Sequence, residues 1–288
     1  MVLGALAVLA GCTAPAGRPD PAGRTSLAAT ETVTGATGPG STAGSRVEPP
    51  PVHAQVDYQI GGAYPPPAAV GVITRDRREK PVPGRYSICY VNAFQTQPEE
   101  RPFWDGHPGL LLRDEADQVI EDPKWPGEIV LDTSTAQKRT ELAAIMSGWI
   151  SDCAAKGFRA VEADNLDSAS RSGGPLTDQD NLALATSLAR TAHGLGLAIG
   201  QKNAADLGVA AREQARFDFA VTEECQVYNE CARYTGVYGP NVIEIEYTDN
   251  GTEAFEQACR AQGQQISVLL RDRNVVPAGS PGYVYRWC

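Results

Sequence analysis

The chain has 288 residues, 42% of them hydrophobic and 21% charged, enough apolar content for a real core, so wholesale disorder is excluded. Its formal net charge is −10, which argues against a nucleic-acid partner, because phosphate recognition needs a positive surface. The same sign suits a cationic substrate, although acidity also serves plain solubility.

Residues 1–11 (MVLGALAVLAG) are small and apolar, and too few to span a bilayer, which takes ~20 residues. The run reads as the apolar part of a signal peptide. Leu9-Ala10-Gly11-Cys12 is similar to a bacterial lipobox, in which the cysteine is lipidated. No Lys or Arg precedes the run, which points to a start codon upstream. Residues 1–12 are therefore expected to direct export, with Cys12 as the lipid attachment point. The expected location is outside the cell, on a membrane through this anchor alone or secreted. Residues 13–52 are rich in Pro, Gly, Ser, Thr and Ala and cannot bury enough apolar surface to offset ordering entropy. They are expected to be a flexible tether ahead of one domain, 53–288.

From residue 54 onward short apolar runs recur. Strands are expected at 56–60, 86–92 (YSICYVN), 128–132 (EIVLD), 158–164 (FRAVEAD), 197–202 (LAIGQK), 217–223 (FDFAVTE), 242–247 (VIEIEY) and 266–271 (ISVLLR), with 70–74 as an extra strand near the first. A hairpin is expected around 114–118. Leu142, Ile145, Met146, Trp149, Ile150 and Cys153 form one helical stripe, ended by Gly157. Thr177 and Asp180 make a capping pair for a helix that carries Leu184, Leu188 and Ala192 and closes at Gly194. Strands alternating with helices imply a parallel sheet, and eight such strands a (β/α)₈ TIM barrel of the α/β class. The doubly wound sheet is the alternative, but neither G-x-G-x-x-G nor a P-loop is present.

Setting Cys12 aside leaves Cys89, Cys153, Cys225, Cys231, Cys259 and Cys288. An even set in an exported chain reads as disulfides. Cys225 and Cys231 are close enough to close a small loop. Cys259 with Cys288 and Cys89 with Cys153 is the favoured remainder, although spacing does not choose among the connectivities. There is no C-x-x-C pair and the three histidines are scattered, so neither a metal nor another cofactor is expected.

Most expected strands are apolar early and end on a polar residue: Gln59, Asn92, Asp132, Asp164, Lys202, Glu223, Glu246 and Arg271. Strand C-termini build the active face of such a barrel. Side chains alternate, so Glu162 shares a face with Asp164, and Glu244 with Glu246, leaving Ile243 and Ile245 toward the helices. Asp164 ends the fourth strand and Glu223 the sixth, and alternate strands feed one layer. Their carboxyl groups are expected ~5 Å apart, the spacing of a retaining glycosidase. One acid attacks or stabilises the sugar cation and the other protonates the leaving oxygen. Lys202 between them would keep Asp164 ionised. Glu224 is expected to point away. Among the aromatics, Tyr228 and Tyr247 are favoured as cleft residues over Trp104, Trp125 and Trp287, because they lie beside strand ends.

The stretch 125–246 resembles glycoside hydrolase family 114, the endo-α-1,4-polygalactosaminidases. The pieces that carry the likeness are WPGEIVLD (125–132), GFRAVEADN (157–165), AHGLGLAIGQKN (192–203), FDFAVTEECQVYNEC (217–231) and IEIEY (243–247). The resemblance implies a barrel that hydrolyses α-1,4-linked galactosamine polymers, with Asp164 as nucleophile and Glu223 as acid/base. Asn165 and Asn203, which follow the strand ends in these motifs, join the expected substrate-binding set. The chain departs from the family pattern at Ala163 and Gln201, and neither change removes a carboxylate. The expected partner is a polysaccharide, including a cationic galactosamine polymer, bound by a monomer. The alternatives are a lipoprotein that binds such a polymer without cutting it, and a hydrolase of another polysaccharide.

Overall fold

The computed structural model describes residues 47–288; Cys12 and most of the expected tether lie outside the described residues. The elements in chain order are β1 (Val56–Gln59), β2 (Val72–Asp76), β3 (Tyr86–Asn92), α1 (Arg101–Trp104), α2 (Ala136–Lys156), β4 (Ala160–Asp164), α3 (Asp178–Gly194), β5 (Ala198–Lys202), α4 (Gly208–Glu213), β6 (Phe219–Glu223), α5 (Cys231–Tyr238), β7 (Val242–Tyr247), α6 (Glu253–Gln262), β8 (Ser267–Arg271) and β9 (Tyr285–Trp287). Strands β1 to β8 pair in sequence order, each parallel to the next, and β9 returns antiparallel to β8. This is the expected (β/α)₈-type barrel. The seam between β8 and β1 is bridged by side chains: Arg271 Nη1 donates to the Tyr58 carbonyl and Tyr285 Oη to the Val56 carbonyl.

Two of the expected strands change place. Residues 72–76 are a full barrel strand, whereas 128–132 is no part of the barrel. Ile129, Val130 and Leu131 are buried, but in an excursion between β3 and α2 held by antiparallel bridges, Gln95 to Val130 and Leu111 to Leu131 among them. A short apolar run reads the same whichever β partner it finds. The hairpin around 114–118 does form, with Arg113 bridging Val119.

The core has two layers. Outside the strands, Val91, Val161, Ile199, Ala220 and Leu270 meet the helices. Inside the barrel, Val56, Val72, Ile88, Ala160, Ala198, Phe219, Ile243, Ile245 and Leu269 fill the lumen. Val47 and Ala54 pack against that inner cluster. At Gly200 a Cβ atom would lie 2.4 Å from the Phe219 ring, so the lumen admits Phe219 only because β5 has no side chain there.

The helix signals hold. Thr135 caps α2 through Lys138 N, and Gly157 at φ +98° ends it. Thr177 and Asp180 form the capping box of α3. The disulfides are Cys89–Cys153, Cys225–Cys231 and Cys259–Cys288. Among the described residues no helix is long and apolar enough to cross a membrane.

Candidate active site

At the C-terminal ends of the strands the chain encloses a cleft of about 940 Å³, lined by residues from the excursion, the strand ends and the loops after β4 to β8. Three adjacent strands turn alike at this rim. Asn165 follows β4 at φ +67°, Asn203 follows β5 at +49°, and Glu224 follows β6 at +60°. Asn tolerates this left-handed region, whereas Glu does so at a cost in strain. Glu224 is held there by Arg273 and by Asn250 Nδ2.

Asp164 and Glu223 both face inward. Asp164 Oδ2 accepts the Tyr90 hydroxyl at 2.6 Å, and Oδ1 accepts Asn165 N–H at 2.8 Å. Glu223 Oε1 accepts the Tyr247 hydroxyl at 2.5 Å, and Oε2 accepts Asn203 Nδ2 at 2.8 Å. Lys202 is 2% exposed and stands between them, its Nζ 3.7 Å from Asp164 Oδ1 and 3.3 Å from Glu223 Oε1. Together these two distances cap the separation of those oxygens at about 7 Å. The ammonium also donates to Tyr58 Oη at 3.0 Å and lies 3.4 Å from Glu162 Oε1.

Electrostatics follow from this packing. Burial works against the Lys202 charge, but Asp164, Glu223 and Glu162 outweigh it and hold the ammonium well above its ordinary pKa. Burial likewise raises Glu223, yet Lys202 and the hydrogen bonds from Tyr247 and Asn203 bring it below the usual carboxylate range. Glu128, at the excursion side, is pushed up to about 7 by burial and by the charge of Asp164, against a hydrogen bond from Asn92.

The expected binding residues divide into three groups. Asn165, Lys202, Asn203, Tyr228 and Tyr247 line the cleft. Asn92 supports it from behind, accepting from Asn165 Nδ2 and donating to Glu128. The other five do not reach it. Gln59 faces outward beside inward-facing Tyr58 and accepts from Arg75 Nε. Asp132 lies off the barrel, paired with Lys138 and Ser134 before α2. Glu162 is fully buried beneath Lys202. Glu246 points outward because β7 ends one residue later, on Tyr247. Ile243, Ile245 and Tyr247 are the inward set, and Glu244 reaches Gln262 on α6. Arg271 is spent on the β8–β1 seam.

Other cleft residues were not expected. Glu224 lines the rim, because the turn after β6 cancels strand alternation. Trp125, 48% exposed, joins Tyr228, 61% exposed, on the walls. Tyr90 and Glu128 line the cleft as well. Tyr90 was legible from β3 by alternation with Asn92. Arg273 carried no signal in sequence; it lies over the Tyr247 ring at 4.2 Å and pairs with Glu224 and Asp249.

A family model described as glycoside-hydrolase family GH114 matches residues 37–288. The chain belongs to glycoside hydrolase family 114. As a family 114 member it is a glycoside hydrolase, in keeping with two inward carboxylates at the strand ends. Solved structures share the fold, two of them as follows. Ega3 of Aspergillus fumigatus, solved in complex with galactosamine, is 23% identical, with a TM-score of 0.65 over 86% of this chain and 99% of that one. A variant of the glycoside hydrolase domain of PelA from Pseudomonas aeruginosa is 14% identical, with a TM-score of 0.56 over 78% of this chain and 97% of that one. No match to this family 114 chain is found among curated proteins.

Proposed function

We propose that this chain is a retaining glycosidase that cuts α-1,4 bonds in a galactosamine-containing polysaccharide, with Asp164 as nucleophile and Glu223 as acid/base. One observation carries the reading: two inward carboxylates share a single buried ammonium, no more than about 7 Å apart. That limit admits the roughly 5–5.5 Å spacing of retaining enzymes and touches only the short end, roughly 6.5 Å, of the inverting range. In the first step Asp164 attacks the anomeric carbon, the glycosidic C–O bond breaks, and Glu223 gives its proton to the leaving oxygen. In the second, Glu223 takes a proton from the water that displaces Asp164. Tyr90 holds the nucleophile for this attack, while Asn203 and Tyr247 aim the acid/base.

Charge supports an amino sugar. Among the described residues the cleft is lined by nine carboxylates and four basic side chains, a surplus that attracts a polymer of ammonium-bearing sugars. The galactosamine bound to Ega3 fits the same class of substrate. Three disulfides suit an oxidising compartment, so the reading includes export, with Cys12 as a lipid anchor.

A second reading exchanges the two roles, and the depressed pKa of Glu223 favours it: a group held ionised suits a nucleophile better than an acid. One experiment tests both. The domain is incubated with a partly de-N-acetylated α-1,4-galactosamine polymer, alongside D164A and E223A in azide. On a galactosamine oligomer with an activated aryl leaving group, which departs without a proton, azide restores turnover in the nucleophile variant with inverted product and in the acid/base variant with retained product. Binding without chain shortening by the unaltered protein would sink the enzyme reading for this polymer.

A further inference from the structure

Glu162 is the one carboxyl of this cluster that no substrate can touch. It is wholly buried, and it sits on β4 two residues before Asp164, on the same inward face and one level deeper. Its Oε1 accepts the Tyr58 hydroxyl at 2.6 Å and lies 3.4 Å from Lys202 Nζ. Its Oε2 is buried with no hydrogen-bond partner among the described residues. A bare carboxylate oxygen in such a place is costly when charged and far less so when protonated.

The charge balance points the same way. The groups around this cluster are Tyr58 from β1, Tyr90 from β3, Asp164 from β4, Lys202 from β5, Glu223 from β6 and Tyr247 from β7; Asp76, at the end of β2, is engaged by Arg78 and Gln97. Lys202 is their single cation. With one catalytic carboxyl ionised and the other protonated, as the glycosidase reading requires, the enclosed set is neutral only when Glu162 carries a proton.

We propose that Glu162 is a positioning residue that works as a buried carboxylic acid: uncharged, it anchors Tyr58 and leaves the Lys202 ammonium to serve Asp164 and Glu223. An ionised Glu162 draws that ammonium inward, away from the reacting pair. Burial pushes Glu162 up to about 7, with Lys202 opposing and Asp164 adding to the rise, so the neutral form is lost as pH climbs past neutrality. Tyr58 still donates to the carboxylate, and what changes is the pull on Lys202.

The proposal rests on the glycosidase reading, but its first test needs no turnover. Infrared difference spectra of the unaltered protein and E162Q are recorded without substrate between about pH 5 and 9. In the difference between the two proteins, one carbonyl component of a protonated carboxylic acid, over and above that of Glu128, should be present at acid pH, fade near neutrality, and be missing from E162Q. Spectra with no such difference overturn the proposal whether or not the protein cuts the polymer. The second test is kinetic. E162A, which loses the anchor, should lower kcat roughly ten- to hundredfold with little change in KM. E162Q, which keeps the acceptor for Tyr58, should fall much less and lack the bend that the unaltered protein shows near neutrality. If E162Q is as impaired as E162A with its fold intact, a charged Glu162 is needed and the proposal fails.

Discussion

The chemistry of this site is set by what surrounds each carboxylate. Asp164 and Glu223 each receive two hydrogen bonds in addition to the shared Lys202, so both are fixed before any sugar arrives. D164N and E223Q are therefore expected to lose roughly a thousandfold or more of polymer-cutting rate, measured as reducing ends released, while their melting temperatures stay close to the parent's. Tyr247 allows a finer test. Its hydroxyl helps hold Glu223 below the ordinary carboxylate range, although burial alone would raise it. A depressed folded-state pKa contributes stability that is present above the unfolded value and lost as pH falls through the folded one. Y247F should move the Glu223 titration upward, as followed by carbon-13 NMR of labelled glutamate, and should soften the acid-side loss of stability. An unmoved titration would mean that Lys202 and Asn203 alone set the charge of Glu223. Much of this constellation was legible at residue level: Asp164, Glu223 and Lys202 follow from polar strand ends, whereas Asn165 and Asn203 came only with the family resemblance. The fully buried Glu162 was not, since alternation gives the face of a side chain but not its depth.

The strands show where sequence pattern decides and where it fails. Seven of the eight expected barrel strands are in place, because each is an apolar run bounded by polar turns and followed by a helix or a tight loop. The eighth, 128–132, has the same apolar character, and only its partners, Gln95 and Leu111, distinguish it. Face assignment failed on β1 and β7 for one reason. It assumed that the last polar residue of a strand points into the cleft, whereas Tyr58 and Tyr247 hold the inward positions and send Gln59 and Glu246 outward. The lumen itself is tightly specified. Gly200 on β5 gives its space to Phe219 on β6, so G200A forces a methyl group into an aromatic ring. The expected cost is about 1–3 kcal/mol, read as a lower midpoint in thermal or denaturant unfolding. The damage should extend to activity, since Lys202 lies two residues further along β5. A variant as stable as the parent would mean that Phe219 has room to move.

Across the whole molecule, charge acts in two separate places. In the cleft the carboxylate surplus faces solvent, so attraction of a cationic polymer is screened over a Debye length of ~8 Å at physiological salt. kcat/KM on the polymer should therefore fall as salt rises while kcat holds, and a flat dependence would remove steering from the account. Behind β7 the acids are dry. Glu244 and Glu246 point away from the lumen; Gln262 Nε2 donates to Glu244 Oε2, and Gln226 N–H donates to Glu246 Oε1. Burial raises both; the charge and hydrogen bond of Glu246 raise Glu244 further, whereas the hydrogen bonds from Gln226 and Glu244 hold Glu246 down. A raised folded-state pKa gives stability that is full below the unfolded value and declines as pH rises toward the folded one, because the unfolded chain releases its proton first. This wall of the barrel also holds Gln226 and, through Cys225–Cys231, the loop that presents Tyr228 to the cleft. E244Q keeps an acceptor for Gln262 and a donor for Glu246 but has no proton to lose. Its melting temperature should match the parent's near about pH 5 and exceed it near about pH 8, where the parent has begun to pay for keeping that proton. If the two stability curves run parallel across that range, the acids behind β7 are not the source of its alkaline weakness.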